Sequence, residues 1–274
     1  MSFEGRDLNE MEIVDTHCHA SPYWFEPIET LLGQMDRNGV AKATLIQMRG
    51  QYDNSYLLEC AKRFPGRFSV VVLVDTDQDH ALNVLEDWAK QGAEGIRLAP
   101  GARSPGSDPL AVWRKAEELG LVVSCGSGTT EELASEEFHD LVRQFPDLPI
   151  IIEHLGSVGK TAEAPYMTYK QMLGLSQHPN TYIKFHGLGE IAPRPRPMKQ
   201  PFPFEGFPPL TEMAFESFGA KRMVWGSDFP PVAEREGYHN ALHFPMEYIP
   251  FRSEEDKEWA FGGTALGLFK FAAI

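Results

Sequence analysis

The sequence predicts an α/β protein, a distorted (β/α)₈ barrel (a TIM barrel) that forms one domain over residues 1–274. Apolar, β-rich runs alternate with helix-like segments along the chain, which is the pattern of parallel strands joined by crossover helices. The length of 274 residues is close to the roughly 250 residues of such a barrel. Polar residues also gather at the C-terminal ends of the predicted strands, where the active sites of barrels lie.

The predicted strands are short runs rich in Val, Ile and other apolar residues, namely 12–19, 43–48, 68–75, 93–100, 121–128, 149–156, 181–188 and 222–230. The predicted helices between them are 27–38, 55–64, 80–91, 109–119, 130–145, 167–177 and 209–218. Several of these helices end in Gly or are followed by Pro, as helices commonly are. A doubly wound open sheet is the alternative fold. It is disfavoured because no Gly-x-Gly-x-x-Gly motif follows any strand.

The first strand ends in the most informative stretch of the chain, Asp15-Thr16-His17-Cys18-His19. Alternate residues of a strand point to the same side, so the two imidazoles should share a face with Asp15. Neutral imidazole is the commonest metal ligand in proteins and a common general base. Two core histidines with ordinary hydrogen bonds are the structural alternative, but the pair at a strand end favours a site.

Other predicted strands also carry polar residues at their C-terminal ends, namely Gln47, Arg49, Arg97, His154, Lys184, His186 and Asp228. Polar residues scattered through a core would not all lie at the same end of their strands. The shared placement therefore predicts one catalytic site at the C-terminal mouth of the barrel.

Composition favours a soluble enzyme that acts on a small molecule. The formal net charge of -14 argues against a nucleic-acid partner. No apolar run is long enough to span a bilayer and no signal-peptide pattern opens the chain, so we expect no membrane partner. Cys18, Cys60 and Cys125 form no disulfide framework, and a reducing cytoplasm is the simplest location. Homo-oligomerisation stays open.

The proline-rich segment 191–210 contains Pro193, Pro195, Pro197, Pro201, Pro203, Pro208 and Pro209. So many prolines exclude regular structure. The segment follows the seventh strand at the active-site face. It is either a surface excursion or a lid that carries Arg194, Arg196 and Lys199.

Five stretches together resemble the amidohydrolase superfamily. They are Asp15–His19, Ile151–Gly156, Tyr182–Leu188, Val224–Pro230 and Gly263–Phe269. In order and spacing they resemble the motifs of the first, sixth, seventh and eighth strands and of the closing helix. The match is to the amidohydrolase-related group, which includes sugar-acid and pyrone dicarboxylate lactonases, sulfomuconolactone hydrolase and aminocarboxymuconate-type decarboxylases. The resemblance implies a barrel enzyme and a hydrolase.

Two departures from that group affect the expected reaction. Its decarboxylases usually place a metal-binding histidine at the end of the fifth strand, where this chain has Cys125. A thiolate could bind a soft metal, although a small buried thiol is the simpler expectation. The lactonase branch commonly lacks that histidine, and some of its members work without metal. The second departure is His186, where relatives usually have Ser; it is a ligand, a proton donor, a substrate contact or a structural histidine.

The resemblance also implies roles for the site residues. Asp228 corresponds to the general base that takes a proton from water, and it binds the metal where one is present. His17, His19 and His154 would complete a site for one divalent ion, with zinc the first choice. Without an ion, the histidines would polarise the carbonyl or stabilise developing charge, so metal dependence stays open. His154 and His186 are therefore expected to be catalytic together with Asp228.

Substrate contacts are expected from Arg97, Arg49, Lys184, Tyr23 and Trp24. A guanidinium at an inward strand position forks naturally onto a carboxylate or sulfonate, which favours an acidic substrate. Structural pairing with one of the many acids is the alternative for Arg97. Tyr23 and Trp24 follow His19 in a loop and would form a wall of the pocket or simply cover the barrel rim.

The sequence therefore predicts a hydrolase that opens a lactone or similar cyclic ester by means of water activated by Asp228. A metal-dependent decarboxylase or cyclic-amide hydrolase on the same barrel is the second hypothesis. A non-catalytic ligand-binding barrel is the third, and the polar set at the strand ends argues against it.

Overall fold

Eight parallel strands, hydrogen-bonded in chain order, form a nearly closed barrel. The computed structural model describes residues 11–159, 162–194 and 206–272. The strands are β1 (Ile13–Cys18), β2 (Val40–Ile46), β3 (Phe68–Val72), β4 (Gly95–Leu98), β5 (Val122–Cys125), β6 (Ile150–Ile152), β7 (Thr181–Phe185) and β8 (Met223–Trp225). The predicted (β/α)₈ barrel is confirmed, and each predicted strand contains or overlaps an observed one.

The barrel closes between its last and first strands through a short connection. Cys18 and Phe229 form an isolated parallel bridge. Beside it, the His19 N–H donates to the Phe229 carbonyl at 2.8 Å, and the Asp228 N–H donates to the His17 carbonyl at 2.9 Å. The closure therefore brings the histidines of β1 next to Asp228.

Helices follow most strands, as the alternating pattern predicted. The α-helices are Ile28–Arg37, Ser55–Arg63, Ala81–Lys90, Ala111–Glu118, Thr130–Leu133, Glu136–Gln144, Met167–Leu173, Leu210–Phe218, Tyr238–Tyr248, Glu254–Glu258 and Thr264–Leu268. Short 3₁₀ turns lie at Gly174–Gln177, Leu188–Glu190, Ala220–Arg222 and Pro231–Glu234, and a π-turn lies at Trp259–Gly263. No helix in these described ranges is long and apolar enough to cross a membrane.

The predicted helix 130–145 is in fact two helices, because the sequence contains two helix starts. Thr129 and Glu132 form a reciprocal capping box at the first. The Ser135 hydroxyl accepts from the Phe138 N–H and starts the second. Helix Tyr238–Tyr248 was not predicted, and it contains Pro245 in its interior.

An apolar layer inside the barrel closes its N-terminal mouth. Val14, Ile46, Val71, Val122, Ile151 and Val224 pack there against Ala265, Phe269 and Phe271 of the C-terminal segment. The Glu94 carboxylate, just before β4, accepts from three consecutive N–H groups of that segment. The barrel interior is therefore apolar at the mouth opposite the histidines.

Candidate active site

Four histidines from three strand ends meet at the C-terminal mouth. The His17 ring centroid lies 5.0 Å from that of His19, 4.8 Å from that of His154 and 5.0 Å from that of His186. The rings of His154 and His186 stack at 4.3 Å. The structure therefore brings together all four histidines that the sequence pattern indicated.

Irregular backbone conformations position His17 and His154. The pairing of β1 with β2 shifts register between Asp15 and Cys18, a β-bulge at the histidine motif. After β6, four residues in a row, His154 to Ser157, have positive φ and form a left-handed turn. Non-glycine residues in this region cost about 1–2 kcal/mol each and cluster at functional sites. A left-handed turn at this point thus indicates that the placement of His154 is maintained at a cost in stability.

Three of the histidines are oriented through Nδ1. His19 Nδ1–H donates to the Ile46 carbonyl at 2.8 Å, and His186 Nδ1–H donates to the Gly226 carbonyl at 2.7 Å. His154 Nδ1 is paired with the Glu190 carboxylate. Hydrogen bonds of this kind fix the tautomer of metal-binding histidines and present the Nε2 lone pair. Burial lowers the pKa of His19 to about 3, and it holds the pKa of His186 well below its usual range.

Asp228 offers two carboxylate oxygens with different partners. Oδ1 lies 3.8 Å from His17 Nε2 and 3.8 Å from His19 Nε2. Oδ2 accepts from Arg235 at 2.7 Å. Burial raises the pKa of Asp228, and the charges of His154 and Arg235 oppose that rise. Oδ1 is therefore the oxygen available to a water or an ion at the centre of the site.

A buried charged layer lies beneath the histidines. Arg97 donates twice to Glu153 Oε2, at 3.2 Å and 2.7 Å, while the Ser124 hydroxyl donates to Glu153 Oε1 at 2.6 Å. Lys184 Nζ lies 2.9 Å from the Thr16 carbonyl, 3.3 Å from His17 Nδ1 and 3.3 Å from Ser124 Oγ. Burial lowers the pKa of Lys184 to about 8. Burial alone would raise the pKa of Glu153, but Arg97 and Lys184 outweigh it and keep this carboxylate ionised.

The expected substrate residues lie at different depths. Lys184 is fully buried below His17, so its contacts favour support of that imidazole over contact with a substrate. Arg97 is 5% exposed and bound to Glu153 beside His19. Arg49 is exposed at the rim near both Arg97 and Glu153. Tyr23 and Trp24 are 90% and 76% exposed, and their neighbour Phe25 stacks on His19 at 5.5 Å.

Sequence reasoning missed several residues that complete the site. Glu153 and Ser124 could have been found, because they follow the inward-facing Ile151 and Val122 by two residues. Glu190, Arg235 and Glu236 lie in connections beyond β7 and β8, where no strand period applies. Of the proline-rich segment, residues 195–205 lie outside the described ranges, and Arg196 and Lys199 with them.

Asp15 supports the site from outside the pocket. Its Oδ1 accepts from the His17 N–H at 3.1 Å and from the Ser227 N–H at 2.8 Å, and its Oδ2 accepts from the Tyr238 hydroxyl at 2.7 Å. The carboxylate thereby ties β1 to the segment that carries Asp228. Cys125 is a buried free thiol whose pKa burial raises, so a thiolate ligand is disfavoured there.

The side chains fit a divalent metal ion. Three overlapping groups have all their ligand atoms within 4.8 Å of one another: His17 with His154 and His186, His17 with His19 and Asp228, and His154 with Glu190 and Asp228. Two buried nitrogens, His17 Nε2 and His186 Nε2, have no hydrogen-bond partner within the described part of the chain. Imidazole and carboxylate are suitable zinc ligands, and three of them leave a position open for water.

Comparison with known proteins agrees with the fold. A 199-residue alignment with 4-sulfomuconolactone hydrolase of Hydrogenophaga intermedia is 27% identical and covers 71% of this chain and 60% of that protein. L-fucono-1,5-lactonase of Burkholderia ambifaria is 26% identical over 75% of this chain and 69% of its own length. The crystal structure of a zinc-bound amidohydrolase from Burkholderia multivorans superposes with a TM-score of 0.77 at 16% identity and covers 94% of this chain and 98% of that one.

The family model described as Amidohydrolase matches residues 14–271, nearly the whole chain. The match includes seven complete strands, β1 from Val14 onward and every site residue named above. The chain belongs to the amidohydrolase family.

Proposed function

We propose that this protein is a hydrolase that opens a lactone or similar cyclic ester, with Asp228 as the base that activates water. The observation that carries the proposal is the position of Asp228 Oδ1, 3.8 Å from the Nε2 atoms of both His17 and His19 at the barrel mouth. A water between these groups would have a proton acceptor on one side and imidazoles on the other. The relatives named as lactone hydrolases support the same reaction class.

In the proposed reaction, the water oxygen attacks the lactone carbonyl as its proton passes to Asp228 Oδ1. The surrounding imidazoles stabilise the negative charge on the carbonyl oxygen. The ring C–O bond then breaks, and the proton held by Asp228 passes to the departing ring oxygen. One water is consumed and the product is an open hydroxy acid. A bound zinc ion at the histidines would polarise the carbonyl and lower the pKa of its water to about 7.

The proposed substrate carries an anionic group, bound by Arg49 at the rim. Partial burial and the nearby Arg97 charge lower the pKa of Arg49, so an anion between the two guanidinium groups would relieve their repulsion. Arg97 uses three of its five N–H groups on Glu153 and Gln47. The remaining two have no partner among the residues that the structure describes. The exposed rings of Tyr23 and Trp24 would cover a bound ligand from the β1 side.

A substrate panel tests the proposal. Purified protein would be assayed for acid release from lactones that carry a carboxylate or sulfonate, from neutral lactones and from cyclic amides, and for CO₂ release from aromatic carboxylic acids. Turnover of acidic lactones, exceeding that of neutral ones, is the expected result. Zinc-dependent CO₂ release without lactone opening would support the decarboxylase instead. That second candidate requires a metal, for which the three overlapping ligand groups offer a site.

A further inference from the structure

We propose that His186 is a metal ligand, and that His17, His154 and His186 form the ion-binding set of this chain. This inference rests on the metal-bound form of the proposed hydrolase. It assigns the ion to three neutral imidazoles and leaves Asp228 outside the ligand set, free to take a proton. Sets of three histidines with an open fourth position are a known form of catalytic zinc site.

The first argument is the state of the His186 side chain. Its Nδ1–H donates to the Gly226 carbonyl at 2.7 Å, so the lone pair of the neutral ring lies on Nε2. His186 is 1% exposed, and Nε2 has no hydrogen-bond partner in the described ranges. Buried polar atoms are rarely left without a partner. A ligand at Nε2 accounts for this one.

The second argument is the direction in which the neighbouring imidazoles point. The His154 and His186 rings stack at 4.3 Å, and the His17 ring stands edge-on to both, 4.8 Å and 5.0 Å away. One nitrogen from each ring lies within 4.8 Å of the others. His17 Nε2 is the second buried nitrogen without a partner in the same part of the structure. Both buried imidazole nitrogens without a partner therefore belong to residues of this one set.

The third argument is the support around His154. Glu190 holds its Nδ1, which is the carboxylate–histidine arrangement that orients zinc ligands. Burial alone would lower the pKa of His154, but the Glu190 carboxylate outweighs burial and the pKa is raised, so an ion bound by this ring displaces its proton. Three anchored or unsatisfied imidazoles thus converge, each with one nitrogen directed inward.

The main competing set is His17, His19 and Asp228, and the third group, His154 with Glu190 and Asp228, would likewise use Asp228 as a ligand. The main competing set shares His17, whose inward nitrogen binds one ion, so the two sets compete for the position of that ion. In the competing set Asp228 would be a ligand while Arg235 occupies its other oxygen at 2.7 Å. It would also leave His186 Nε2 without a partner. The all-histidine set satisfies both buried nitrogens and keeps Asp228 Oδ1 for proton transfer.

Substitution of His186 by Asn tests the proposal. Asn can keep a donor near the position of Nδ1, facing Gly226, but has no atom at Nε2. Metal-free protein would be titrated with Zn²⁺ against a chromophoric chelator and, separately, with Co²⁺ while its visible spectrum is recorded. Loss of a hydrogen bond to a ligand costs about 10–100-fold in metal affinity, so His186→Asn should weaken Zn²⁺ binding by at least ~10²-fold and alter the Co²⁺ bands.

Two further variants serve as controls for the Zn²⁺ titration. His243→Asn changes a histidine on helix Tyr238–Tyr248 that contacts His239 and belongs to none of the three ligand groups, so this variant should bind Zn²⁺ as the wild type does. Asp228→Asn should keep Zn²⁺ affinity within about threefold while losing lactone turnover. X-ray absorption at the zinc edge of the wild-type protein should show three imidazole ligands, and this measurement needs no variant to fold.

Three outcomes would overturn the assignment. They are wild-type affinity and an unchanged Co²⁺ spectrum in His186→Asn, loss of the metal in Asp228→Asn, and no Zn²⁺ binding by the wild type. None of them decides whether the protein is a lactonase, because lactone opening by chelator-treated protein is measured separately. Failure of the ligand assignment and failure of the proposed function are therefore distinguishable.

Discussion

At the scale of single residues, the two oxygens of Asp228 have different partners, and this difference determines how activity should depend on pH. Arg235 binds Oδ2 at 2.7 Å, and its charge opposes the rise in the Asp228 pKa that burial causes. A general base must be ionised, so activity should rise with pH through the pKa of Asp228. The Arg235 guanidinium lowers the Asp228 pKa relative to burial alone, so the increase in activity should occur at lower pH.

Arg235→Met should therefore move the acid limb of the kcat/KM profile to higher pH. Removal of the positive charge raises the Asp228 pKa further, and the base ionises later in a titration from acid. The profile would be measured from pH 4 to pH 9, with Arg235→Lys as the control that keeps a charge. An acid limb that stays in place, or moves to lower pH, would show that Arg235 does not set the protonation of the base.

Arg49 is the cleaner test of the acidic-substrate proposal. Replacement of Arg97 would leave Glu153 buried without its ion-pair partner, whereas Arg49 is exposed. Arg49→Met should lower kcat/KM for an acidic lactone by about 1.5–3 kcal/mol, or roughly 10–150-fold, and affect a neutral lactone much less. Arg63→Met, which removes a surface partner of Glu29, is the matched control. Equal losses for both substrates would argue against anion binding by Arg49.

Four of the residues that the sequence revealed obey a strand period, whereas His154 and Asp228 were found from their place just after a strand. His17, His19, Lys184 and His186 are spaced by two within β1 and β7 or just beyond them, and all four lie in or under the site. Glu190 and Arg235 follow no such period. They reach His154 and Asp228 through turns whose course depends on tertiary packing.

At the scale of elements, the left-handed turn after β6 is what presents His154. Strand alternation alone would place Glu153 inward and its neighbour outward. Gly156 has a φ of +68°, and a Cβ there would lie 2.4 Å from Met172 Cε. The turn therefore depends on a glycine at this position, both for conformation and for packing against the helix that contains Met172.

Gly156→Ala should destabilise the protein by about 1–3 kcal/mol and displace His154. Gly267→Ala is the control, since Gly267 is an exposed residue of helix Thr264–Leu268 and a Cβ at this position would meet nothing within 4 Å. That change should be neutral or stabilise by about 0.5–1 kcal/mol. Urea denaturation would measure both variants. A Gly156→Ala protein as stable and active as wild type would contradict the importance of this turn.

At the scale of the whole molecule, the barrel separates an apolar layer from a charged one. The apolar layer at the N-terminal mouth is built from aliphatic and phenylalanine side chains, and the layer above it holds Arg97, Glu153 and Lys184 away from water. Because the folded protein shifts the pKa of Lys184 to about 8 from the usual 10.5, folding stability depends on pH through this residue.

Lys184→Met should remove a rise in stability that the metal-free wild type shows on the alkaline side. Between pH 8 and pH 10.5 the unfolded chain binds a proton at Lys184 that the folded protein releases, so stability should rise with pH over this range. The contribution is roughly 3 kcal/mol at most. The free energy of unfolding would be measured against pH for wild type and Lys184→Met, both in the presence of a chelator. The difference between them would be compared with the difference that Lys170→Met causes at an exposed lysine. A flat difference curve would contradict the lowered pKa of Lys184.

The whole-molecule features that could be predicted are those set by repetition. Eight apolar runs at regular spacing predicted the strand order, and the polar strand ends predicted which mouth carries the site. The split of helix 130–145 and the helix around Pro245 could not be read from periodicity, because a cap within a helical pattern and a proline inside a helix both depend on local hydrogen bonds. The bulge in β1 is a departure of the same local kind.

The most direct test of the proposed reaction is the turnover of an acidic lactone by Asp228→Asn. Asn keeps the shape and the Arg235 side of the interaction but cannot accept a proton from water. Turnover should fall by the ~10²–10⁴-fold that general acid–base catalysis contributes, at an unchanged melting temperature. A variant that hydrolyses the lactone within a few-fold of wild type would show that another group is the base.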